Sequence, residues 1–285
     1  MTKTKIDLGI PHSDLASCVS CGLCLPHCPT YRVTQEESSS PRGRIALMKQ
    51  ASETGFIDEE FVEFMDACIQ CRGCETACPA GVGFGSMMET TREALATQTS
   101  YQPRWRRLGY RVLGWPNFLA FGSRVLSILQ SLRVLPKKLG LPKIPLIQRR
   151  LVGSGHDVYL FTGCIMDAWM RETHRAVQRV VEATGAGVQF PSKQAACCGA
   201  LHVHAGLGKD ARRLAERTIS AFPDQGPILV DSAGCGAQLK DYGHLLGTEE
   251  AQQFAERVFD VHEWLADHID KLPPNPEGKD RVAVQ

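Results

Sequence analysis

The cysteines are the residues of this chain whose type and spacing could do chemistry. The 285-residue sequence contains 12 cysteines, and eight of them lie in two stretches, CVSCGLCLPHCP (18–29) and CIQCRGCETACP (68–79). Both stretches read C-x2-C-x2-C-x3-C-P. Thiolates in such numbers bind zinc or iron–sulfur clusters. Zinc uses two C-x2-C pairs and leaves the second C-x2 step and the C-x3-C-P unexplained, so the spacing predicts clusters.

The duplication of this motif indicates how the thiolates divide between two [4Fe–4S] clusters. A C-x2-C-x2-C segment curls around one cluster and supplies three ligands. In two-cluster ferredoxins, which these motifs resemble, the fourth cysteine, followed by proline, binds the other cluster. The resemblance therefore implies one cluster on Cys18, Cys21, Cys24 and Cys78, and a second on Cys28, Cys68, Cys71 and Cys74.

The other four cysteines are expected to form a third, less complete site. They are Cys164, the adjacent pair Cys197 and Cys198, and Cys235. Adjacent cysteines suit a disulfide poorly, because neighbouring Cα atoms lie about 3.8 Å apart and disulfides usually span roughly 4.4–6.8 Å. Strands are predicted at 156–161, 187–190 and 226–231. If they form a parallel sheet, the four sulfurs meet at its carboxyl edge, as a third metal centre, a zinc site or buried structural thiols.

Apolar periodicity predicts the elements that position these cysteines. Helices are expected over 40–55, 58–67, 83–97, 168–187 and 209–222. The helix over 168–187 is expected to bury Trp169, Thr173, Ala176, Val177 and Val180. The prediction is an α+β protein, with an N-terminal α-helical ferredoxin-like domain (1–100) and an α/β domain with a mainly parallel sheet (156–285).

A basic segment (101–155) joins these domains. Residues 101–150 contain eleven Arg and Lys and no Asp or Glu, although the whole chain carries a net charge of only +1. Trp105, Tyr110, Trp115 and Phe118 are interleaved with the charges. Three interpretations are open: contact with an anionic membrane, docking of an acidic partner subunit, or a solvated linker with aromatic anchors in the core. A nucleic-acid partner is not expected, because no binding fold accompanies the charge.

The spacing Cys…Cys-Cys-Gly…Cys resembles the CCG domain of heterodisulfide-reductase-type proteins. That family's motif ends in C-x2-C, whereas this chain has Gln238 three residues after Cys235. The missing cysteine puts a complete third cluster in doubt. His202, His204 and His244 lie nearby in sequence, and one of them could replace it.

The whole arrangement resembles the iron–sulfur subunits of glycolate oxidase, of lactate utilisation and of anaerobic glycerol-3-phosphate dehydrogenase. The phrases SPRGRI, CCGALHVHAG and SAGCGAQLKDYGHLL are most similar to the glycolate oxidase subunit. The resemblance implies an electron-transfer subunit without catalytic residues, which passes electrons from an FAD-containing dehydrogenase subunit towards a quinone or another acceptor. A heterodisulfide-reductase-like thiol–disulfide catalyst is the alternative from another class.

Two further expectations concern the ends of the chain and its location. The final residues, KDRVAVQ (279–285), resemble the first strand of a second CCG module that is cut off. No apolar signal core precedes Cys18, and no uninterrupted apolar run of 18 residues occurs. We therefore predict a cytoplasmic protein, or one peripheral to the cytoplasmic face of the inner membrane.

Overall fold

The computed structural model describes residues 3–101, 103–146, 149–192 and 194–274. The strand predicted in KDRVAVQ lies outside these residues. The chain divides into two compact units, one formed by Met1–Tyr110 with Leu201–Ala211 and the other by Arg111–Ala200 with Arg212–Gln285. The described part contains strands β1–β6 and helices α1–α16, named below in chain order.

The first unit is almost entirely helical. Its only sheet is the antiparallel pair β1 (Thr4–Lys5) and β2 (Phe56–Ile57), among the described residues. Its helices are α1 (His12–Ala16), α2 (Pro29–Thr34), α3 (Pro41–Thr54), α4 (Glu59–Ala67), α5 (Gly73–Thr76), α6 (Phe84–Gln98) and most of α7 (Arg104–Leu113). The loops between these helices carry both cysteine motifs.

The helices α3, α4 and α6 form where the sequence predicts them. The Ser40 hydroxyl accepts the Gly43 N–H at the start of α3, and Gly55 (φ 72°) ends it in the left-handed conformation. The Asp58 carboxylate caps α4 in the same way through the Phe61 N–H. Helix α6 buries Met87, Thr91, Ala94 and Leu95, which share one face at helical spacing. Local capping and periodicity therefore fix the frame around the cysteine loops.

A four-stranded parallel sheet forms the centre of the second unit. The strand order is β4 (Val188–Gln189), β3 (Val158–Phe161), β5 (Ile228–Val230), β6 (Val258–Asp260). The helices of this unit are α8 (Pro116–Ser131), α9 (Ile165–Trp169), α10 (Arg171–Ala183), most of α12 (Gly208–Ile219), α13 (Ala233–Lys240), α14 (Tyr242–Leu246), α15 (Glu249–Glu256) and α16 (Val261–Ala266), while α11 (Ala200–His204) lies almost entirely in the first unit. The predicted α+β class with a parallel sheet is confirmed. Sequence reasoning missed β6, whose three residues are too short to show a period.

The helix predicted over 168–187 is interrupted, and of its predicted inward residues Val180 is exposed, while the other four are partly buried. The chain breaks at Met170, so α9 and α10 are separate helices. The residues of α10 that are buried are His174 and Val181, whereas Val180 is 40% exposed. The reason is a non-local contact: His174 Nδ1 lies 2.6 Å from Asp231 Oδ2, at the end of β5. Apolar periodicity does not predict a buried histidine, because it counts histidine as a polar residue.

The basic segment contains α7 and α8, and three of its four interleaved aromatic residues are exposed. Trp105, Trp115 and Phe118 are each more than half exposed, which contradicts a role as anchors, whereas Tyr110 is partly buried and its ring centroid lies 6.1 Å from that of the buried His202. Helix α8 buries serines instead: the Ser127 hydroxyl donates to the Ile144 carbonyl, and the Ser123 hydroxyl accepts from Trp169 Nε1. Its apolar face carries exposed Phe118, Phe121, Val125 and Ile128.

No single helix in the described part is long and apolar enough to cross a membrane. Residues Trp105–Leu113 and Pro116–Ser131 together have the length and composition for a span, but they are bent by 99° relative to each other.

Candidate metal centres

The first cysteine motif lines a cavity of about 450 Å³, which includes space open to solvent. Its walls carry the thiols of Cys18, Cys21, Cys24, Cys74 and Cys78. The loop reaches this shape through two left-handed residues, Ser20 (φ 57°) and Gly22 (φ 85°). The Arg42 N–H donates to the Cys24 sulfur, while burial raises the pKa of that thiol.

The second motif lines a neighbouring cavity of about 390 Å³. Its cysteines are Cys28, Cys68, Cys71 and Cys74. Gln70 (φ 52°) and Arg72 (φ 56°) occupy the same motif positions as Ser20 and Gly22 and are also left-handed. Non-glycine residues adopt this conformation only where the surrounding structure requires it. The two motifs therefore repeat one backbone shape, not merely one spacing.

In each cavity, three thiols of one motif meet the fourth cysteine of the other. Cys78 joins the first motif's thiols, and Cys28 joins those of the second, while Cys74 lines both cavities. The structure thus brings together the eight cysteines that the sequence predicts, in the two sets implied by the resemblance. That these thiols are the ligands remains a prediction.

The arrangement of the thiols fits a cluster better than a single metal ion. A zinc ion draws its sulfur ligands to within about 2.3 Å of one point. Among the described residues, no three Cys, His, Asp or Glu side chains form a site for one metal ion. The four cysteines of each set line one cavity, and a [4Fe–4S] cluster is held by four cysteine thiolates.

Burial and unpartnered hydrogen-bond donors act in opposite directions on a negative charge in the second cavity. Burial raises the pKa of Cys74 to about 12, and the nearby Glu75 carboxylate adds to this effect. Burial also raises the pKa of Cys68, which the Arg44 and Arg92 guanidinium groups oppose. Arg44 Nη2 and Gln70 Nε2 are buried without a hydrogen-bond partner among the described residues, and both side chains line the cavity. Sequence reasoning missed these donors, since nothing in the motif marks them.

The remaining four cysteines lie in the second unit, close to the carboxyl ends of its strands. Cys164 follows β3, the adjacent pair Cys197 and Cys198 follows β4, and Cys235 lies in α13 after β5. Cys198 Sγ is 3.3 Å from Cys235 Sγ. A second hydrogen bond joins the thiols of Cys197 and Cys164, which lowers the pKa of Cys164 to about 7 and raises that of Cys197. The four sulfurs therefore form two close pairs.

Gln238 stands where the CCG motif has a further cysteine. It lies one helical turn after Cys235 on α13, and its side chain is buried. Its Nε2 has no hydrogen-bond partner among the described residues. The Tyr242 hydroxyl donates to the Cys198 carbonyl at 2.9 Å and holds the cysteine pair in place.

The three histidines considered as ligands lie elsewhere or have other contacts. His202 and His204 belong to the first unit. Burial lowers the pKa of both imidazoles, and the charges of Arg92 and Arg72 add to the effect on His204. His244 lies on α14 of the second unit and has an interaction partner.

Comparison with known proteins identifies the family. Residues 14–82 match a 4Fe–4S dicluster domain, and residues 158–240 match a cysteine-rich domain of the CCG type. The probable glycolate oxidase iron–sulfur subunit of Bacillus subtilis (strain 168) is 34% identical, over 93% of this chain and 67% of the relative. The chain belongs to the glycolate oxidase iron–sulfur subunit family. It is therefore an iron–sulfur subunit of the glycolate oxidase and lactate utilisation type of oxidoreductase.

Two further relatives are similar to most of the chain. The glycolate oxidase iron–sulfur subunit of Escherichia coli (strain K12) is 30% identical, over 94% of this chain and 67% of the relative. One component of the dihydromethanophenazine:CoB–CoM heterodisulfide reductase of Methanosarcina mazei is 26% identical, over 93% of this chain and 66% of the relative. No solved structure is significantly similar to the chain.

Proposed function

We propose that this chain is the electron-transfer subunit of a dehydrogenase that oxidises glycolate to glyoxylate. The observation that carries the proposal is the pair of neighbouring cavities, each lined by three thiols of one motif and the fourth cysteine of the other. When bound there, [4Fe–4S] clusters supply transfer of one electron at a time. The names of the two glycolate oxidase relatives above supply the choice of glycolate.

The residues of this chain hold and tune the clusters instead of touching the substrate. The left-handed residues in each motif direct successive thiols to one cavity. The buried N–H groups around the sulfurs offset their negative charge, which is how a protein sets the potential of such a centre. An FAD-containing partner subunit oxidises the hydroxy acid, and a quinone or another acceptor receives the electrons in turn.

A third centre on Cys164, Cys197, Cys198 and Cys235 is a separate part of the proposal. The convergence of the four sulfurs and the unpartnered amide of Gln238 support it. The close thiol pairs and the relation to a component of a heterodisulfide reductase favour one alternative function, thiol–disulfide chemistry at these cysteines. Disulfide-dependent oxidation of the reduced clusters would favour the alternative.

The first test is the metal content of anaerobically prepared protein. About eight irons per chain support two clusters, and about twelve support the third centre as well. Stoichiometric zinc with little iron would contradict the electron-transfer function.

The second test adds substrate. With the flavoprotein subunit present, glycolate should reduce the clusters, as followed by EPR, faster than lactate or glycerol-3-phosphate does. The wild-type chain without the flavoprotein is the control and should stay oxidised. Equal or faster reduction by either of the other substrates would refute the choice of glycolate.

Helix α8 carries the surface through which we expect the proposed complex to bind a membrane. Its exposed apolar face, continued by Leu132, belongs to a segment rich in Arg and Lys and free of acidic residues between 101 and 150. Basic residues combined with exposed Trp, Phe and Leu are typical of helices that lie in the surface of an anionic membrane. We therefore propose that the chain binds at the periphery of the membrane.

Vesicle flotation tests this placement. The chain should float with vesicles containing an anionic phospholipid and much less with neutral ones. The double variant Phe118→Ser/Phe121→Ser should lose binding, while the matched variant Val33→Ser, at an exposed apolar residue of the first unit, should retain it. Binding only to the acidic surface of the flavoprotein would identify α8 as a subunit interface instead.

A further inference from the structure

The second cavity is flanked by an arginine that is buried without an acidic partner. Arg44 on α3 is fully buried and lines the cavity. Its Nε donates to the Phe64 carbonyl at 2.8 Å, and its Nη1 donates to the Thr30 hydroxyl and the Ser39 carbonyl. Its Nη2 has no partner among the described residues. All of its acceptors are therefore neutral.

A second buried arginine holds the loop of the second motif. Arg92 on α6 is 5% exposed. Its guanidinium donates to the Cys68 carbonyl at 2.6 Å and to Gln70 Oε1 at 2.7 Å. The carbonyls of Met65, Asp66 and His204 accept the remaining bonds. No carboxylate within the described residues forms an ion pair with Arg92, so its charge also remains uncompensated.

The arginine at the first cavity is neutralised. Arg42 lines that cavity, and its Nε and Nη2 donate to the two carboxylate oxygens of Glu37 at 2.6 and 3.1 Å. Arg72 at the second cavity is paired in the same way with Glu75, at 2.7 Å. These two ion pairs add little net charge to either cavity. The difference between the cavities is therefore the two buried, unpaired charges of Arg44 and Arg92.

Unpaired buried cations are costly unless an anion accompanies them. A cluster held by four thiolates is such an anion, and reduction adds one more negative charge to it. The low dielectric around Arg44 and Arg92 strengthens their attraction for that added charge. Burial alone acts in the opposite direction, because it disfavours the more highly charged state. At Cys68 the charges of Arg44 and Arg92 oppose this effect of burial, whereas the arginine that lines the first cavity, Arg42, is paired with Glu37.

We infer that a cluster in the second cavity has a higher reduction potential than one in the first, so that electrons run from the first cavity to the second. The inference rests on the proposed function, since it requires both clusters. In the step, one electron leaves the first cluster, which is oxidised, and reduces the second, and no bond or proton changes place. The reduced flavin of the partner subunit supplies the electron to the first cluster. Arg44 and Arg92 are positioning residues that set this direction.

The test is an anaerobic redox titration of the full chain, followed by EPR. The wild type should show two one-electron steps. Cys21→Ala removes a first-cavity thiol, and the cluster that remains should titrate at the higher potential. In Cys71→Ala, the cluster that remains should titrate at the lower potential. The reverse assignment would overturn the inference, whereas failure to find any cluster would refute the proposed function itself.

Charge variants test the cause. Arg92→Gln should move the higher step to a lower potential and leave the other step unchanged, while the matched variant Arg92→Lys, which keeps the charge, should move it much less. Glu37→Gln, at an exposed site, removes the carboxylate that neutralises Arg42. It should raise the potential of the lower step and so reduce the difference between the two potentials. If Arg92→Gln fails to fold, the assignment of the two steps by Cys21→Ala and Cys71→Ala still decides the order of the two potentials. Unchanged potentials in the folded variants would contradict the role of these charges.

Discussion

The cysteines of the two units are held in different ways. In the first unit they lie in loops whose non-glycine residues Ser20, Gln70 and Arg72 adopt left-handed backbone conformations around two cavities. In the second unit they follow strands that are completely buried, such as β3 and β5. Their sulfurs are already paired with each other, as for Cys198 and Cys235.

The cysteine loops of the first unit therefore depend on a bound metal, whereas the cysteines of the second unit are supported by a packed sheet. Left-handed residues and unpaired buried arginines raise the energy of the first unit's loops, and ligation of a metal is what offsets such terms. The sheet of the second unit is stabilised by apolar packing of Tyr159, Phe161, Phe222 and Phe254, whose rings are in contact. We therefore expect the two units to respond differently to iron removal, substitution and loss of single hydrogen bonds.

Iron removal should give the largest contrast. After chelation under reducing conditions, amides in 18–28 and 68–78 should lose most of their protection from hydrogen exchange, because no ligand then holds the strained loops. Amides in Val158–Phe161 and Ile228–Val230 should stay protected, because their hydrogen bonds belong to a packed sheet. Equal loss of protection in both units would end the distinction between them.

Single cysteine substitutions should sharpen the contrast next. We expect Cys71→Ala to lower the iron content by about four per chain, one cluster, since each cluster depends on all of its thiolates. Cys198→Ala should leave the eight irons of the first unit in place. Iron analysis together with EPR measures both. Loss of the ferredoxin-type signals in Cys198→Ala would mean that the two units do not hold their metals independently.

A buried pair in the second unit gives a smaller, metal-independent effect. Asp231→Ala removes the carboxylate that bonds to the fully buried His174 at 2.6 Å. The imidazole is then left buried without a partner, which should cost about 3 kcal/mol of unfolding free energy. The matched variant Asp231→Asn retains an acceptor and should lose less. Urea unfolding, monitored by hydrogen exchange of the sheet amides, measures the unfolding free energy of both variants. Equal unfolding free energies of the two variants would refute the role of the Asp231–His174 contact.

The smallest effect is expected at Tyr242, which is fully buried beside the cysteine pair. Tyr242→Phe removes only the hydroxyl that donates to the Cys198 carbonyl and should cost about 1 kcal/mol. The iron content of the Tyr242→Phe variant should match that of the wild type. Loss of the ferredoxin-type EPR signals in Tyr242→Phe would show that the geometry of the cysteine pair controls metal binding in the first unit too.

Much of the frame that holds these sites is encoded locally. Ser40 and Gly55 mark the two ends of α3, and the spacing of Met87, Thr91 and Leu95 marks the buried face of α6. The alternation of apolar strands and helices predicts the parallel sheet of the second unit, because that topology needs a helix between successive strands. Capping, periodicity and motif spacing are all short-range features, so the sequence expresses them directly.

The sequence by itself determined the two cysteine motifs, the fold class and the helices α3, α4, α6 and α12. The tertiary structure decided which polar groups are buried. His174, not Val180, faces inward because Asp231 lies at the end of a distant strand. Arg44 and Arg92 are buried because backbone carbonyls from separate segments converge on their guanidinium groups. Such contacts join residues far apart in the chain and favour polar side chains that periodicity counts as exposed, so only the folded structure reveals them.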